Sequence, residues 1–477
     1  MGSLEEPKFY NIINGEKRSS KESYRVTDPR TEESLWDAPV ATASDLEDAV
    51  AAANKAFKTW GKSTIAERRA VLAKMADVIR ENAAELSALT MRETGKSALM
   101  GQIEVDNTVG QIAVVSRLAL EDEVQYEDDT VRVLATHPPL GVVAAICPWN
   151  FPVIMCNFKM ISALVTGNCV IVKPSPFTPY AVLRMAELCA PLLPPGVLQA
   201  VNGGADVGAQ MTAHPGVAKV SFTGTAATGR RVMAACAATL KRVTLELAGN
   251  DAALVLPDVD VAAAAVKTAQ GAFFNAGQMC VATKRVYVHE SIYEEFLGRF
   301  VAEVAEKYGV LPDAAAPTVF GPVSNKLQYD TVKKILEDAK KRGAAVVAGG
   351  DGAGTPEKGY WIPPTVVADP PEDSLLVQEE QFGPIIPILK WSNEDDVIAR
   401  ANLANAGLGA TVYCRDVAKA ESIARRLEAG SVYINMPEMP NPNAYFSGFK
   451  DSGLGGEMGR QGLLAYCYTQ SIHIPKA

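Results

Sequence analysis

Glu246 and Cys280 stand 34 residues apart, each beside a glycine. Glu246 lies in Thr244-Leu245-Glu246-Leu247-Ala248-Gly249-Asn250, and Cys280 in Asn275-Ala276-Gly277-Gln278-Met279-Cys280-Val281. A cysteine thiolate is the strongest side-chain nucleophile at neutral pH, and a nearby carboxylate can move protons or activate water. Taken alone, a Cys beside Met and Val is more often a small buried hydrophobe, and a lone Glu more often a surface residue.

Other residues with chemistry follow apolar runs. In Cys147-Pro148-Trp149-Asn150-Phe151-Pro152, two prolines bracket Asn150 and make a rigid loop. A fixed amide donor there suits an oxyanion, although a structural turn is the plainer alternative. Lys173-Pro174-Ser175 puts an ammonium where a ribose or phosphate could lie. No G-x-G-x-x-G occurs; instead Thr223-Gly224-Thr225-Ala226-Ala227-Thr228-Gly229 follows Phe222. Gly224 permits a tight turn, and the helix start after it offers free N–H groups to a phosphate. Glu379-Glu380-Gln381-Phe382-Gly383-Pro384 joins carboxylate to aromatic in a turn before a strand.

The elements that must hold these groups read as follows. Residues 8–36 are short strands and turns, with Asn14-Gly15 a type I′ hairpin signal. Ser44-x-x-Glu47 and Thr64-x-x-Glu67 are capping boxes. Leu46, Val50, Ala53 and Phe57 form the apolar stripe of the first helix, and Val71, Met75 and Ile79 that of the second. Helical pattern continues through 83–120. Strand-like runs follow at 131–135, 141–146, 169–173, 197–201, 218–222 and 243–245, mostly with helices between them. That alternation predicts a doubly wound α/β unit with ligands at the carboxyl ends of its strands. A second alternation spans about 251–440, with strands near 252–256, 285–288, 344–347, 385–390, 410–414 and 431–434. The segment 441–460, rich in Gly, Asn and Ser, reads as loop. The tail 466–474 alternates like a strand and, as an exposed edge, is expected to pair with another chain.

Composition excludes several classes. The 477 residues are 48% hydrophobic and 21% charged, with a net charge of −9 and no run of five like charges. Nothing favours nucleic acid or an anionic membrane. The start, Met1-Gly2-Ser3-Leu4-Glu5-Glu6, has no apolar core for a secretory signal, and Glu6 stands where a myristoylation signal wants Ser or Thr. Eight dispersed cysteines without C-x-x-C, and four histidines without ligand spacing, predict reduced thiols in a cytoplasmic protein and no metal.

Together the motifs resemble the aldehyde dehydrogenase superfamily across essentially the whole chain. Pro-Trp-Asn-Phe-Pro, Lys-Pro-Ser, Phe-Thr-Gly-Thr, Leu-Glu-Leu-Ala-Gly-Asn, Gly-Gln-Met-Cys, Glu-Glu-Gln-Phe-Gly-Pro and Gly-Phe-Lys-Asp-Ser-Gly carry the likeness, with the Glu–Cys spacing. The resemblance implies an α/β fold: a Rossmann-type NAD(P)-binding domain (1–120 and 140–248), an α/β catalytic domain (249–441) and a small β oligomerisation element (121–139 and 461–477). Residues 442–460 loop back to the active site. By the same resemblance, Cys280 adds to the aldehyde, and Asn150 with the Cys280 backbone N–H forms the oxyanion hole. Hydride leaves for the nicotinamide, and Glu246 activates water to hydrolyse the thioester. Lys159 and Glu457 match proton-relay positions. Lys173 and Glu380 match residues that hold ribose, Phe382 packs by the nicotinamide, and Thr225 meets the pyrophosphate. Ile146, Pro148, Trp149, Ser175, Pro176, Phe222, Gly224 and Leu247 complete the expected cofactor site.

The substrate funnel is expected to draw on Phe151, Met155, Phe158, Met279, Val281, Tyr445 and the loop 436–446. Its apolar character leans towards uncharged aliphatic or aromatic aldehydes, although Glu438, Asn441 and Asn443 share the loop. Three departures from the family pattern stand out. Pro176 replaces a glutamate that would bind the adenosine 2′-hydroxyl and repel a 2′-phosphate, so the cofactor is NAD with NADP also admissible. Ala248 replaces a glycine, and Tyr445-Phe446-Ser447-Gly448 replaces Pro-Phe-Gly-Gly. The competing readings are a CoA-acylating semialdehyde dehydrogenase, which Glu246 counts against, and a catalytically silent homologue, which the intact site counts against. A homodimer or homotetramer built through the C-terminal strand is expected.

Overall fold

The structure is a computed structural model that describes residues 7–352 and 354–476. The reading of Gly2 and Glu6 lies outside the described residues, as does residue 477 of the last expected segment.

In the first of two large sheets, Leu198–Ala200, Cys169–Lys173, Val142–Ile146, Lys219–Thr223 and Arg242–Glu246 run parallel, side by side in that order. Val142–Ile146, Cys169–Lys173 and Lys219–Thr223 are buried along their whole length, which is why the first two read as nearly unbroken apolar runs. Each Val or Ile so buried contributes about 1.5–3 kcal/mol. The chain builds outward from Val142–Ile146 through Cys169–Lys173 to Leu198–Ala200, then returns to lay Lys219–Thr223 on the other flank of Val142–Ile146. That reversal opens a crevice at the carboxyl ends of the two strands. The Asn11–Ile13 and Glu16–Arg18 hairpin extends one edge. Its turn residues Asn14 and Gly15 have φ of 53° and 81°, the left-handed backbone that a type I′ turn requires.

The second sheet runs Ala345–Ala348, Thr365–Ala368, Ile385–Trp391, Thr283–His289, Asp251–Val255, Gly409–Tyr413 and Ser431–Ile434. Ala345–Ala348 pairs antiparallel and the others pair parallel. Thr365–Ala368 is absent from the sequence reading. It is four residues long and follows Pro363-Pro364, which mimics a loop signal.

The Thr64 and Glu67 capping box forms as predicted. The first box sits two residues earlier than predicted: Thr42 caps Ala43–Trp60, and Asp45 returns the bond to the Thr42 N–H at 2.8 Å. Aspartate fills the place reserved for glutamate in the pattern, so Ser44 and Glu47 fall inside the helix.

The segment 441–460 is more than a loop. Phe446–Ser447 pairs with Gly456–Glu457, and Gly453–Leu454 pairs antiparallel with Arg242–Glu246, extending the first sheet. The C-terminal strand Gln470–Pro475 finds its partner in its own chain, pairing antiparallel with Val131–Thr136, which pairs in turn with Glu123–Glu127. Gln470–Pro475 is an outer strand of that three-stranded sheet, with no partner on its second edge among the described residues. Among the described residues no helix is long and apolar enough to cross a membrane.

Candidate functional site

Cys280 sits on the loop between helix Val261–Phe273 and strand Thr283–His289. Asn275, Ala276 and Gly277 take φ of 52°, 54° and 72° in succession. Left-handed backbone costs a non-glycine residue about 1–2 kcal/mol, so surrounding bonds must hold this loop. Asn275 Nδ2 donates to the Gln278 carbonyl at 3.1 Å, Gln278 Nε2 to the Pro322 carbonyl at 3.1 Å, and the Ser324 N–H to Gln278 Oε1 at 2.8 Å. Two glycines let neighbouring turns close on the loop. A Cβ on Gly249 would lie 2.5 Å from the Cys280 carbonyl oxygen, and one on Gly277 would lie 2.5 Å from the Gly383 carbonyl oxygen. The runs around Glu246, Cys280 and Phe382 therefore meet.

Glu246 closes strand Arg242–Glu246. Its Oε2 accepts from Thr223 Oγ1 at 2.9 Å, while Oε1 is buried and has no hydrogen-bond partner among the described residues. The Cys280 thiol is set against this carboxylate. Burial pushes the Glu246 carboxyl up, with Lys159 pulling it down and Glu457 adding to the rise. Burial also pushes the Cys280 thiol well above its ordinary value, Glu246 adds to that, and Lys284 pulls it down. All eight cysteines are free, and Cys280 is one of two that are not fully buried.

Asn150 ends the run after strand Val142–Ile146 and is buried. Its Nδ2 donates to the Gln278 carbonyl at 3.1 Å, two residues before the thiol. One of its two amide hydrogens is thereby left for another acceptor. Its own carbonyl accepts from buried Lys96 Nζ at 2.6 Å, and Lys96 Nζ also meets Glu104 Oε2 at 2.5 Å and the Phe151 ring at 3.9 Å. Glu104 Oε1 accepts the Val153 N–H at 2.9 Å, at the start of helix Pro152–Val165. Lys96 and Glu104 thus brace the Asn150 loop, and the sequence reading missed both. The Thr94-Gly95-Lys96 helix end was their one local signal.

Lys159 is fully buried on that same helix. Its Nζ donates to Glu457 Oε1 at 2.7 Å and Ser221 Oγ at 3.1 Å, and Ser221 Oγ donates to Glu457 Oε1 at 2.7 Å. Burial pulls the Lys159 ammonium down, but Glu457 and Glu246 raise it overall. The two expected relay residues, 298 apart in sequence, are therefore bonded.

The expected cofactor residues gather around the crevice. Lys173 is buried, and among the described residues its Nζ has one acceptor, the Pro174 carbonyl at 3.1 Å; burial lowers its pKa to about 8. Ser175 Oγ accepts the Phe177 N–H, and Pro176 is half-buried. Thr225 Oγ1 caps helix Ala226–Ala237 through the Thr228 N–H at 3.3 Å. Gly224 folds back on Phe222, whose ring would touch an added Cβ at 2.6 Å. Gly229 packs on Leu247, with 2.5 Å from an added Cβ to Leu247 Cδ2. Glu380 Oε1 accepts the Gly249 N–H at 3.2 Å, and burial raises this carboxyl to about 7. Phe382 and Trp149 meet edge to face with centroids 5.2 Å apart. Pro148 and Trp149 are half-buried, and Ile146 is buried behind them. An underused ammonium, a half-buried carboxyl group and a helix start without acidic residues form a set that fits a dinucleotide.

The expected substrate residues divide. Phe151 stacks on Phe274 at 6.4 Å, Met155 and Met279 are half-buried, and Tyr445 is exposed. Phe158 and Val281 are both 1% exposed and face the interior. A small cavity beside Met279 is lined by Gln270, Gly271, Phe274, Pro437, Glu438 and Met439. Glu438, buried there, accepts from Thr283 Oγ1 at 2.7 Å. A larger cavity of about 350 Å3 near His137 and Cys467 touches none of these groups. Ala248 and Ser447 both keep negative φ, so neither position requires glycine's backbone. Among the described residues no group of three His, Cys, Asp or Glu side chains is placed to hold a metal ion.

Residues 16–472 match the model of the aldehyde dehydrogenase family. Aldehyde dehydrogenase LUC3 of Fusarium sp is 41% identical over 468 residues, covering 98% of this chain and 99% of its own. The NAD+ complex of an aldehyde dehydrogenase from Bacillus cereus superposes with TM-score 0.93 at 34% identity, over 98% of this chain and 97% of that one. An NADP-dependent enzyme of E. coli gives TM-score 0.93 at 32% identity, over 98% of both chains.

Proposed function

The chain belongs to the aldehyde dehydrogenase family, and from that premise we propose that Cys280 carries out the oxidation through a covalent thioester. The enzyme is an NAD(P)-dependent oxidoreductase that converts aldehydes to acids. The observation that carries the mechanism is the Cys280 thiol against a buried Glu246 carboxylate, with Asn150 tied to the same loop.

Glu246 takes the thiol proton as sulfur adds to the aldehyde carbon, and the spare N–H of Asn150 faces the oxyanion of the thiohemiacetal. A nicotinamide cofactor, when bound, takes up the hydride of that carbon. Collapse of the oxyanion leaves the thioester on Cys280. The thiol proton leaves Glu246 towards Lys159 and the Glu457 carboxylate bonded to it, which frees Glu246 to act again. Glu246 then removes a proton from water, which attacks the thioester, and returns that proton to the departing sulfur, so that acid and thiol are freed. This base beside the thiol supports hydrolysis over transfer to CoA.

Lys173, Ser175 and Glu380 would hold the ribose hydroxyls, Thr225 and its helix start the pyrophosphate, and Trp149 and Phe382 the nicotinamide end. Ile146, Pro148, Phe222, Gly224 and Leu247 would wall the crevice. Pro176 neither accepts a 2′-hydroxyl nor repels a 2′-phosphate, so both NAD and NADP are accepted. Phe151, Met155, Met279 and Tyr445 favour an uncharged aliphatic or aromatic aldehyde. The first sheet would form the cofactor domain and the second the catalytic domain. The Glu123–Glu127, Val131–Thr136 and Gln470–Pro475 sheet would form the oligomer contact, since Val124, Tyr126, Ile472 and Ile474 are exposed on it. Eight free cysteines suit the reducing cytoplasm.

Absorbance of reduced nicotinamide, followed with an aldehyde panel and each cofactor, tests the reading. Apolar aldehydes should turn over with both cofactors. Turnover of charged semialdehydes alone would reject the substrate class, and strict dependence on one cofactor would reject the role given to Pro176.

A further inference from the structure

Lys284 lies four residues after Cys280, in a strand whose first six residues are all buried, and it is itself 2% exposed. Its Nζ donates to the carbonyl of Met279, the residue before the thiol, at 2.6 Å and to that of Ala282 at 3.5 Å. The same nitrogen lies 3.7 Å from Glu380 Oε1 and 5.5 Å from the centre of the Phe382 ring. The residue between those two, fully buried Gln381, donates from Nε2 to the Lys284 carbonyl at 3.2 Å. One lysine therefore joins the nucleophile loop to the Glu380–Phe382 turn at both its ends. A buried ammonium is costly unless it is bonded and paired, and its field favours any anion beside it.

We propose that Lys284 is the positioning residue of the nucleophile: it fixes the loop through the Met279 carbonyl and supplies the positive charge that lets the Cys280 thiolate form. The proposal rests on the reading of Cys280 as nucleophile. The thiol faces Glu246 and Glu380 as well as Lys284, and Tyr433 senses its charge. Lys284 also faces the carboxyls of Asp251, Glu380 and Glu438. After burial and Glu246 have pushed the thiol up, Lys284 opposes them, and Glu380 adds to the rise. Lys284 thus stands against several groups that work to keep the thiol protonated.

The test is the pH dependence of Cys280 alkylation by iodoacetamide, with the modified peptide identified by mass spectrometry. Lys284→Met should move the midpoint up by one pH unit or more, a tenfold slower reaction at any pH below it, while Lys284→Arg should keep the wild-type midpoint. If Lys284→Met does not fold, Lys284→Met/Glu380→Gln removes both charges of the pair and strands neither. Its midpoint should lie one pH unit or more above that of Glu380→Gln alone. An unchanged midpoint in the folded neutral variant, or an equal rise in Lys284→Arg, overturns the proposal. Alkylation needs no turnover, so turnover surviving in Cys280→Ala would defeat the functional reading while leaving this measurement to judge Lys284.

Discussion

Replacing Glu380 by Gln should make the cofactor-free protein more stable at pH 8 and leave it nearly unchanged at pH 4. Burial raises this carboxyl from 4.5 to about 7, against the pull of Lys284 and the Gly249 N–H. The unfolded chain loses the proton near 4.5, and the folded protein holds it until about 7. Stability is therefore fully present below the unfolded value, falls as pH rises between the two, and stays low above them. The accumulated loss is about 3 kcal/mol. Glutamine accepts the Gly249 N–H without ionising, so it returns about that amount at pH 8. Urea unfolding of wild type and variant from pH 4 to 8 measures the difference, in which titrating groups remote from Glu380 cancel. A difference that does not grow with pH, or a variant less stable at pH 8, refutes the reasoning. The same variant should bind NAD+ more weakly by calorimetry, because a neutral amide is a poorer acceptor for two hydroxyls than a carboxylate.

Asn150→Ala should lower kcat by about 10²–10³, the loss of one oxyanion donor, with near-native circular dichroism; a drop under threefold would remove Asn150 from the chemistry. Gly249→Ala forces a Cβ to 2.5 Å from the Cys280 carbonyl, so activity and iodoacetamide reactivity should both fall, and wild-type kinetics would contradict this packing. Lys96→Met strands the buried Glu104 carboxylate and should cost about 3–5 kcal/mol in urea unfolding, whereas a loss under 1 kcal/mol would show that the pair is not coupled.

The parts of the site readable in sequence were those compressed into short runs that close a buried strand or lead into one. Asn150, Lys173, Glu246, Cys280 and Glu380 each sit within three residues of a Pro or Gly. The buried lysines were not readable in this way. Lys96 follows a helix and Lys284 opens a strand, and nothing within a few residues reveals that each meets a carboxylate and a carbonyl of the site. Glu104 and Met279 lie only eight and five residues away, but the Asn150 carbonyl and Glu380 are brought in by tertiary packing. The Lys159–Glu457 bond depends on Gly453–Leu454 joining the first sheet, a pairing hidden in a stretch whose Gly, Asn and Ser content reads as loop. Apolar residues posed the opposite problem. Phe158 and Val281 resemble Met155 and Met279 in sequence, but hydrophobicity does not distinguish fully buried side chains from half-buried ones. Helix and strand positions were legible from periodicity, and misses occurred where a rule had a neighbouring solution, as with Asp45 in a capping box or a four-residue strand after two prolines.

The central claim is that Cys280 holds the substrate covalently and Glu246 releases it. Acid-quenching the enzyme during turnover of a reactive aldehyde with NAD+, followed by peptide mass spectrometry, tests both halves at once. The account predicts an acyl group on the Cys280 peptide, a slower decay of that acyl group in Glu246→Gln once it has formed, and neither adduct nor turnover in Cys280→Ala. Turnover in Cys280→Ala, or an acyl group on another residue that forms and decays at the rate of turnover, would contradict it.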